Sequence, residues 1–95
     1  MAYVLVACEE SQAVAMAFRR LGVLAFSCDI KPCSGGHPEW HIIGDARTLF
    51  SYPCQFVTES GELHTVPSWD LLIAHPPCTY SALAAAMAEQ WVKYL

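Results

Sequence analysis

The chain has 95 residues, 55% of them hydrophobic and only 15% charged, which allows one small domain with a modest core and excludes a charge-rich disordered segment. Its formal net charge is -4, and its five basic residues (Arg19, Arg20, Lys31, Arg47 and Lys93) form no run. A stand-alone nucleic-acid binder carries a basic stripe, so any grip on DNA has to come from elsewhere.

Met1 leads directly into Ala2-Tyr3-Val4-Leu5-Val6-Ala7, an apolar, β-prone segment that reads as a buried first strand. With no basic start, h-region or cleavage site before it, no signal peptide is expected. No apolar run approaches a membrane span. A cytoplasmic location is therefore expected, with Cys8, Cys28, Cys33, Cys54 and Cys78 as reduced thiols. Ser11 is placed to cap a helix running to Leu21. Val14, Ala17, Phe18 and Leu21 share one face at helical spacing, Arg19 and Arg20 lie on the other, and Gly22 stands at the stop. Val23 to Cys28 reads as a second strand ending at Asp29. Strand, helix, strand is the unit of a parallel sheet.

A loop with Pro and Gly follows from Lys31 to Glu39. His41-Ile42-Ile43 predicts a short strand ending at Gly44-Asp45, and Ala46 to Phe50 a short helix. Phe56-Val57-Thr58 and Leu63-His64-Thr65-Val66, around the turn Glu59-Ser60-Gly61-Glu62, predict a hairpin within 55–66. His64 in that hairpin is read as a surface residue. Trp69 to Ala74 predicts another strand, which must end at His75-Pro76-Pro77-Cys78, since proline cannot donate to a ladder. Ser81 opens an Ala-rich helix to the end. Its stripe Met87, Trp91, Leu95 reads as core, or as a self-association surface if left uncovered.

In an open parallel sheet, ligands bind beyond the carboxyl ends of the strands. The chemistry-bearing residues fall there: Cys8-Glu9-Glu10-Ser11 after the first strand, Asp29 after the second, Gly44-Asp45 after the third and His75 to Tyr80 after the last of the parallel set. An acidic residue ~20 positions after the first turn is where nucleotide-binding folds hold a ribose hydroxyl. From spacing alone Asp29 is that ligand, or the cap of a turn before Pro32. Cys78 lies just before a predicted helix start, which favours the nucleophilic thiolate; the plainer reading is a buried, inert cysteine.

Taken together, these loops resemble the ordered motifs of the DNA cytosine 5-methyltransferases, and more narrowly a short methyltransferase-like family of phages and prophages. The segment from Val4 to Gly22 occupies the cofactor-loop position, and Ser27-Cys28-Asp29-Ile30 is similar to the acidic motif of the second strand. Gly44-Asp45 is similar to the motif that contacts the adenine. Asp70-Leu71-Leu72-Ile73-Ala74-His75-Pro76-Pro77-Cys78-Thr79 is similar to the nucleophile motif, which in the larger family carries a Pro-Cys pair. The resemblance covers about residues 3–81, and its most specific part is the Pro-Pro-Cys block. It implies a partial Rossmann-like fold, mainly parallel, with flanking helices and a β-hairpin insertion. It implies S-adenosylmethionine as cofactor, held by Glu9, Glu10, Ser11, Asp29, Asp45 and Pro76. Asp29 would hold the ribose and Asp45 the adenine amino group. DNA is the implied partner, with Cys78 attacking a flipped cytosine and Pro77 and Tyr80 beside the base.

Two departures accompany the resemblance. The first loop, Cys8 to Ala13, has no glycine, where the larger family uses glycine to bring its backbone close to the cofactor. Only 17 residues follow Cys78, and none forms the Glu-Asn-Val motif that holds the base. The expectation is one truncated methyltransferase-like domain over 1–95. Three rivals stay open. A DNA amino-methyltransferase also uses a Pro-Pro loop, but here His75 and Cys78 stand where its acidic or amide residue and its aromatic belong. A zinc module would use Cys28, Cys33, His37 and His41, spaced C-x4-C and H-x3-H; the alternative is a loop packing Trp40. A non-catalytic remnant would bind the cofactor or a protein without turnover.

Overall fold

The computed structural model describes residues 2–74. The expectations for Pro76, Pro77, Cys78, Tyr80 and the helix from Ser81 lie outside the described residues. In chain order the elements are β1 (Tyr3–Ala7), α1 (Ala13–Arg20), β2 (Leu24–Asp29), β3 (His41–Ile43), β4 (Cys54–Val57), β5 (Leu63–Val66) and β6 (Leu71–Ala74), with 3-10 turns at Pro38–Trp40 and Ala46–Leu49. The result is a small α/β fold. Four strands form a parallel sheet in the order β3-β2-β1-β6, and β4 and β5 form a separate antiparallel hairpin.

The sequence of β1 explains its central place. A parallel strand with neighbours on both sides and cover on both faces needs a continuous apolar run, and Val4, Leu5, Val6 and Ala7 are all buried. Its side chains alternate between two cores. Val4 and Val6 pack with Ala15, Ala25 and Ile73, against which Val14 and Phe18 of α1 also lie. Leu5 packs with Phe26, Ile42, Leu49, Phe56, Val66 and Trp69 on the opposite face, beneath the hairpin. There Phe26 and Phe56 meet edge to face at 5.0 Å, and Phe56 stacks on Trp69 at 5.8 Å. Such pairs add roughly 0.5–1.5 kcal/mol beyond area burial. The Trp69 indole N–H is satisfied by the Leu49 carbonyl at 2.7 Å. At the start of β6, Asp70 N donates to Tyr3 O at 2.8 Å and Tyr3 N to Asp70 Oδ2 at 2.7 Å, which fixes the register of β6 on β1.

Three expectations are corrected. Ser11 does not cap α1: the cap position is Gln12, in the left-handed region at φ 61 with no side-chain capping bond. The buried carboxylate of Glu9 does that work, accepting from Ala15 N at 2.9 Å. The helix stops at Arg20, so Leu21 falls off the apolar face and is 79% exposed, and Ala17 is exposed as well. Gly22 follows at φ +80, the left-handed stop expected of it. His64 is only partly a surface residue, its side chain 32% exposed. On β5 it shares the inward side with Val66, stacking on Phe56 at 5.7 Å and meeting Phe26 at 5.1 Å, while Leu63 and Thr65 face outward. Its Nε2 is buried without a hydrogen bond, although Glu62 Oε2 lies 3.5 Å away.

The short third strand leaves one edge incomplete. β3 pairs only with Ser27–Asp29, so the first half of β2 has no neighbour on that side. Arg19 takes the place of a strand there: its Nε donates to Ala25 O at 2.9 Å, and its guanidinium lies 5.0 Å from the Phe26 ring centre and 4.5 Å from that of Trp40. No helix among the described residues is long and apolar enough to cross a membrane.

Candidate functional site

Parallel pairing sets the strand ends level. Ala7 is in register with Cys28 on one side and Ala74 on the other, and Asp29 with Ile43. The residues that follow therefore gather along one edge. Glu9 N donates to Cys28 O at 3.2 Å, Gly44 N to Asp29 O at 2.9 Å, and Cys28 Sγ to Gly44 O at 3.4 Å. Electrostatics report the same gathering. Burial raises the Cys8 thiol above its ordinary range, and the charges of Asp29 and Asp45 raise it further. The Cys28 thiol is pushed up to about 12, by burial first and then by Cys8, Asp29 and Asp45. Both stay protonated near neutrality, so neither is the nucleophilic form.

The first loop solves the missing-glycine problem with ordinary residues. Cys8 and Gln12 adopt φ 59 and φ 61, the left-handed conformation that glycine takes without steric cost. Gln12, fully buried, is the hub beneath the loop. Its Nε2 donates to Ser27 Oγ at 3.1 Å and to His37 O at 2.8 Å, and its Oε1 accepts from His37 N at 3.0 Å. Ser27 Oγ lies 2.8 Å from His41 Nδ1, and His41 Nε2 lies 2.8 Å from Lys31 O. A carbonyl only accepts, so Nε2 donates there, and in the neutral ring that leaves Nδ1 to accept from Ser27. This buried chain ties the first loop, β2, β3 and the 31–37 loop into one unit.

Glu10, Ser11 and the start of α1 (Ala13, Val14), with Cys8 and Glu9, line an open depression of about 390 Å³. It borders the loop after β1. All four strands run parallel, but the order β3-β2-β1-β6 steps outward to one side of β1 and then to the other, so the β1–β6 crevice is a switch point of the kind where α/β sheets bind ligands. Glu9 is drawn in to hold Ala15 N, and Glu10 accepts Ser34 N at its backbone carbonyl at 2.8 Å, leaving Ser11 exposed at the rim. Asp29 Oδ1 accepts from Lys31 N at 3.0 Å, so Asp29 does cap a turn before Pro32, while Oδ2 has no hydrogen-bond partner among the described residues. Asp45 caps the 3-10 turn through Arg47 N and is gripped by the Arg47 side chain. That grip holds its carboxyl down to about 2. A second cavity, about 340 Å³, lies by the strand starts Tyr3 and Leu24, beside Arg19, Trp40 and His64 and away from the tips.

The four zinc candidates are engaged separately. Cys28 donates to Gly44 O, Cys33 Sγ to Glu59 Oε2 at 2.8 Å, His37 Nδ1 lies 3.0 Å from Glu39 Oε1, and His41 belongs to the buried chain. Among the described residues no group of three or more such side chains is arranged to hold a metal. The 31–41 segment instead packs Trp40, which stacks on His37 at 3.9 Å.

Sequence reasoning missed the roles of Gln12 and Gly35 and the apolar surface of Ile30 and Ile43, which are 76% and 47% exposed beside Asp29. The Gly35-Gly36 pair was a signal of close backbone approach; nothing in the sequence marked Gln12. No protein-family model matches this chain, and no match is found among the curated proteins or the solved structures.

Proposed function

We propose that the chain is an S-adenosylmethionine-dependent DNA cytosine-5 methyltransferase-like protein on a partial Rossmann-like fold. The observation that carries this reading is the level meeting of the Cys8, Asp29 and Asp45 loops beside the β1–β6 switch point. The donor set fits the cofactor. Asp29 Oδ2 is open to a ribose hydroxyl, Ile30 and Ile43 offer apolar surface to a purine, and the carboxylates along the edge suit a ligand carrying cationic sulfonium and ammonium groups. Glu9 serves by holding the loop and Glu10 and Ser11 by lining the depression.

When bound, the cofactor supplies an electrophilic methyl group. The resemblance gives the chemistry to Cys78, whose thiolate adds to carbon 6 of a flipped cytosine and makes carbon 5 nucleophilic. The resemblance gives Pro76 to the cofactor side and Pro77 and Tyr80 to the base. The raised thiols at Cys8 and Cys28 support this division of labour, because they leave those two cysteines inert beside the cofactor edge. The test is binding of S-adenosylmethionine by the purified chain, followed by methyl transfer to cytosine-containing DNA that Cys78→Ser abolishes. Failure to bind the cofactor at millimolar concentration sinks the proposal.

The net charge of -4 with scattered basic residues supports a second reading, a cofactor-binding module without turnover on DNA. Cofactor binding with no methylation of any duplex selects it.

A further inference from the structure

Asp45 is exposed, yet a single neighbour engages both of its carboxylate oxygens. Oδ1 accepts from Arg47 N at 2.9 Å and from Arg47 Nε at 3.1 Å, and Oδ2 accepts from Nε at 3.0 Å and Nη2 at 2.5 Å. Nε carries a single hydrogen, shared between the two oxygens, so three N–H donors take up most of the roughly four lone-pair sites of the ionised carboxylate. In this state the corner presents guanidinium N–H donors, the opposite polarity from the one an adenine amino group needs. We propose that Arg47 is a self-mask on the ligand site: the guanidinium competes with a purine amino group for Asp45 and swings off when that group is accepted there. The inference rests on the cofactor reading above and deepens it, adding a residue that sets affinity from outside the ligand contacts.

Several features favour an exchangeable mask over a fixed scaffold. The ion pair is solvent-exposed on both sides, with side-chain exposures of 78% for Arg47 and 45% for Asp45. Exposed pairs of this kind are weak and screened by salt. The 3-10 turn keeps its cap when the side chain leaves, because the Arg47 N bond to Asp45 Oδ1 and the Thr48 Oγ1 bond to Asp45 O at 2.7 Å are independent of the guanidinium. Release therefore frees Oδ2 without unmaking the turn.

The experiment measures binding to the full 95-residue chain, using S-adenosylmethionine and, in parallel, adenosine, which carries no charge for Arg47 to repel. Arg47→Met keeps the aliphatic stem and removes the mask, and should bind both probes about threefold tighter, as expected for losing a competing exposed ion pair. Asp45→Asn should weaken both, and the double variant should bind no better than Asp45→Asn alone. In parallel, the Asp45 carboxyl, followed by NMR, should titrate higher in Arg47→Met than in the parent. A gain with S-adenosylmethionine but not adenosine would mean simple charge repulsion and would overturn the mask. So would equal or weaker binding of both probes by Arg47→Met while the parent binds. No binding by the parent or by any variant would overturn the cofactor reading, and the mask with it.

Discussion

Gly35 lies so close to Ser11 that a Cβ on it would stand 2.4 Å from the Ser11 carbonyl oxygen, with Gln12 Oε1 and Cβ only 2.6 and 2.8 Å away. The 31–37 loop is thus pressed onto the first loop where neither can retreat, because Ser34 N is bonded to Glu10 O and His37 N to Gln12 Oε1. Gly35→Ala should cost about 1–3 kcal/mol, the range for forced overpacking. Urea unfolding of the variant checks this, and an unchanged midpoint would contradict the contact.

Gln12 combines a left-handed backbone with a fully buried, bonded side chain, so two substitutions separate the two effects. Gln12→Gly relieves the backbone but strands the His37 N–H, and takes one partner each from the His37 carbonyl, which keeps Trp40 N, and from Ser27 Oγ, which keeps His41 Nδ1. Gln12→Ala loses the same bonds and keeps the backbone cost. The orphaned N–H costs about 1–3 kcal/mol, and the left-handed residue roughly 1–2 kcal/mol. The expected order of stability is parent, then Gly, then Ala; Ala as stable as Gly would refute the backbone term.

Cys8 sits at φ 59 without a comparable set of side-chain bonds. Cys8→Gly should therefore stabilise the fold by up to about 1 kcal/mol. In a domain of this size that raises Tm by about 4–8 °C, measurable by calorimetry. A lowered Tm would show that the Cys8 side chain is needed for packing.

Cys28 makes stability fall in alkali. Its folded-state thiol titrates at about 12 against an ordinary value of 9.0. The neutral thiol is favoured in the folded chain, so the contribution is fully present below pH 9 and is lost as pH rises through 12, because only the unfolded chain ionises readily in that window. The loss is on the order of a few kcal/mol. In Cys28→Ala the slope of stability against pH above 9 should flatten. An identical slope would assign the alkaline loss to other groups.

Arg19 guards the open half of β2 by bonding Ala25 O and lying against Phe26 and Trp40. Lysine has no Nε–H fork and stacks less well on rings. Arg19→Lys should lose about 1–2 kcal/mol and expose a strand edge that invites association. Chemical denaturation and light scattering together test it; unchanged values in both would show that the edge needs no guard.

Much of the scaffold was legible because it rests on local pattern. The apolar run at 2–7, the Gly22 stop and the Glu59-Ser60-Gly61-Glu62 turn each encode their element within a few residues, and β1, the end of α1 and the hairpin fall there. The reading failed where a distant partner decides. Ser11 has the chemistry of a cap, but Glu9 reaches Ala15 N first because Gln12 turns the chain left-handed. His64 is polar by composition, yet the period of β5 points it at Phe26 and Phe56.

The candidate site divides in the same way. Sequence by itself determined that acidic and thiol residues follow the strands, since strand length and loop position are written in hydrophobic periodicity. Tertiary structure alone decided which of them are available. Parallel register brought Cys8, Asp29 and Asp45 to one edge, burial pushed the thiols toward their neutral form, and Arg47 closed over Asp45. Availability is a matter of solvation and competing partners, and both are set by residues far apart in the chain or by backbone geometry that no residue type announces.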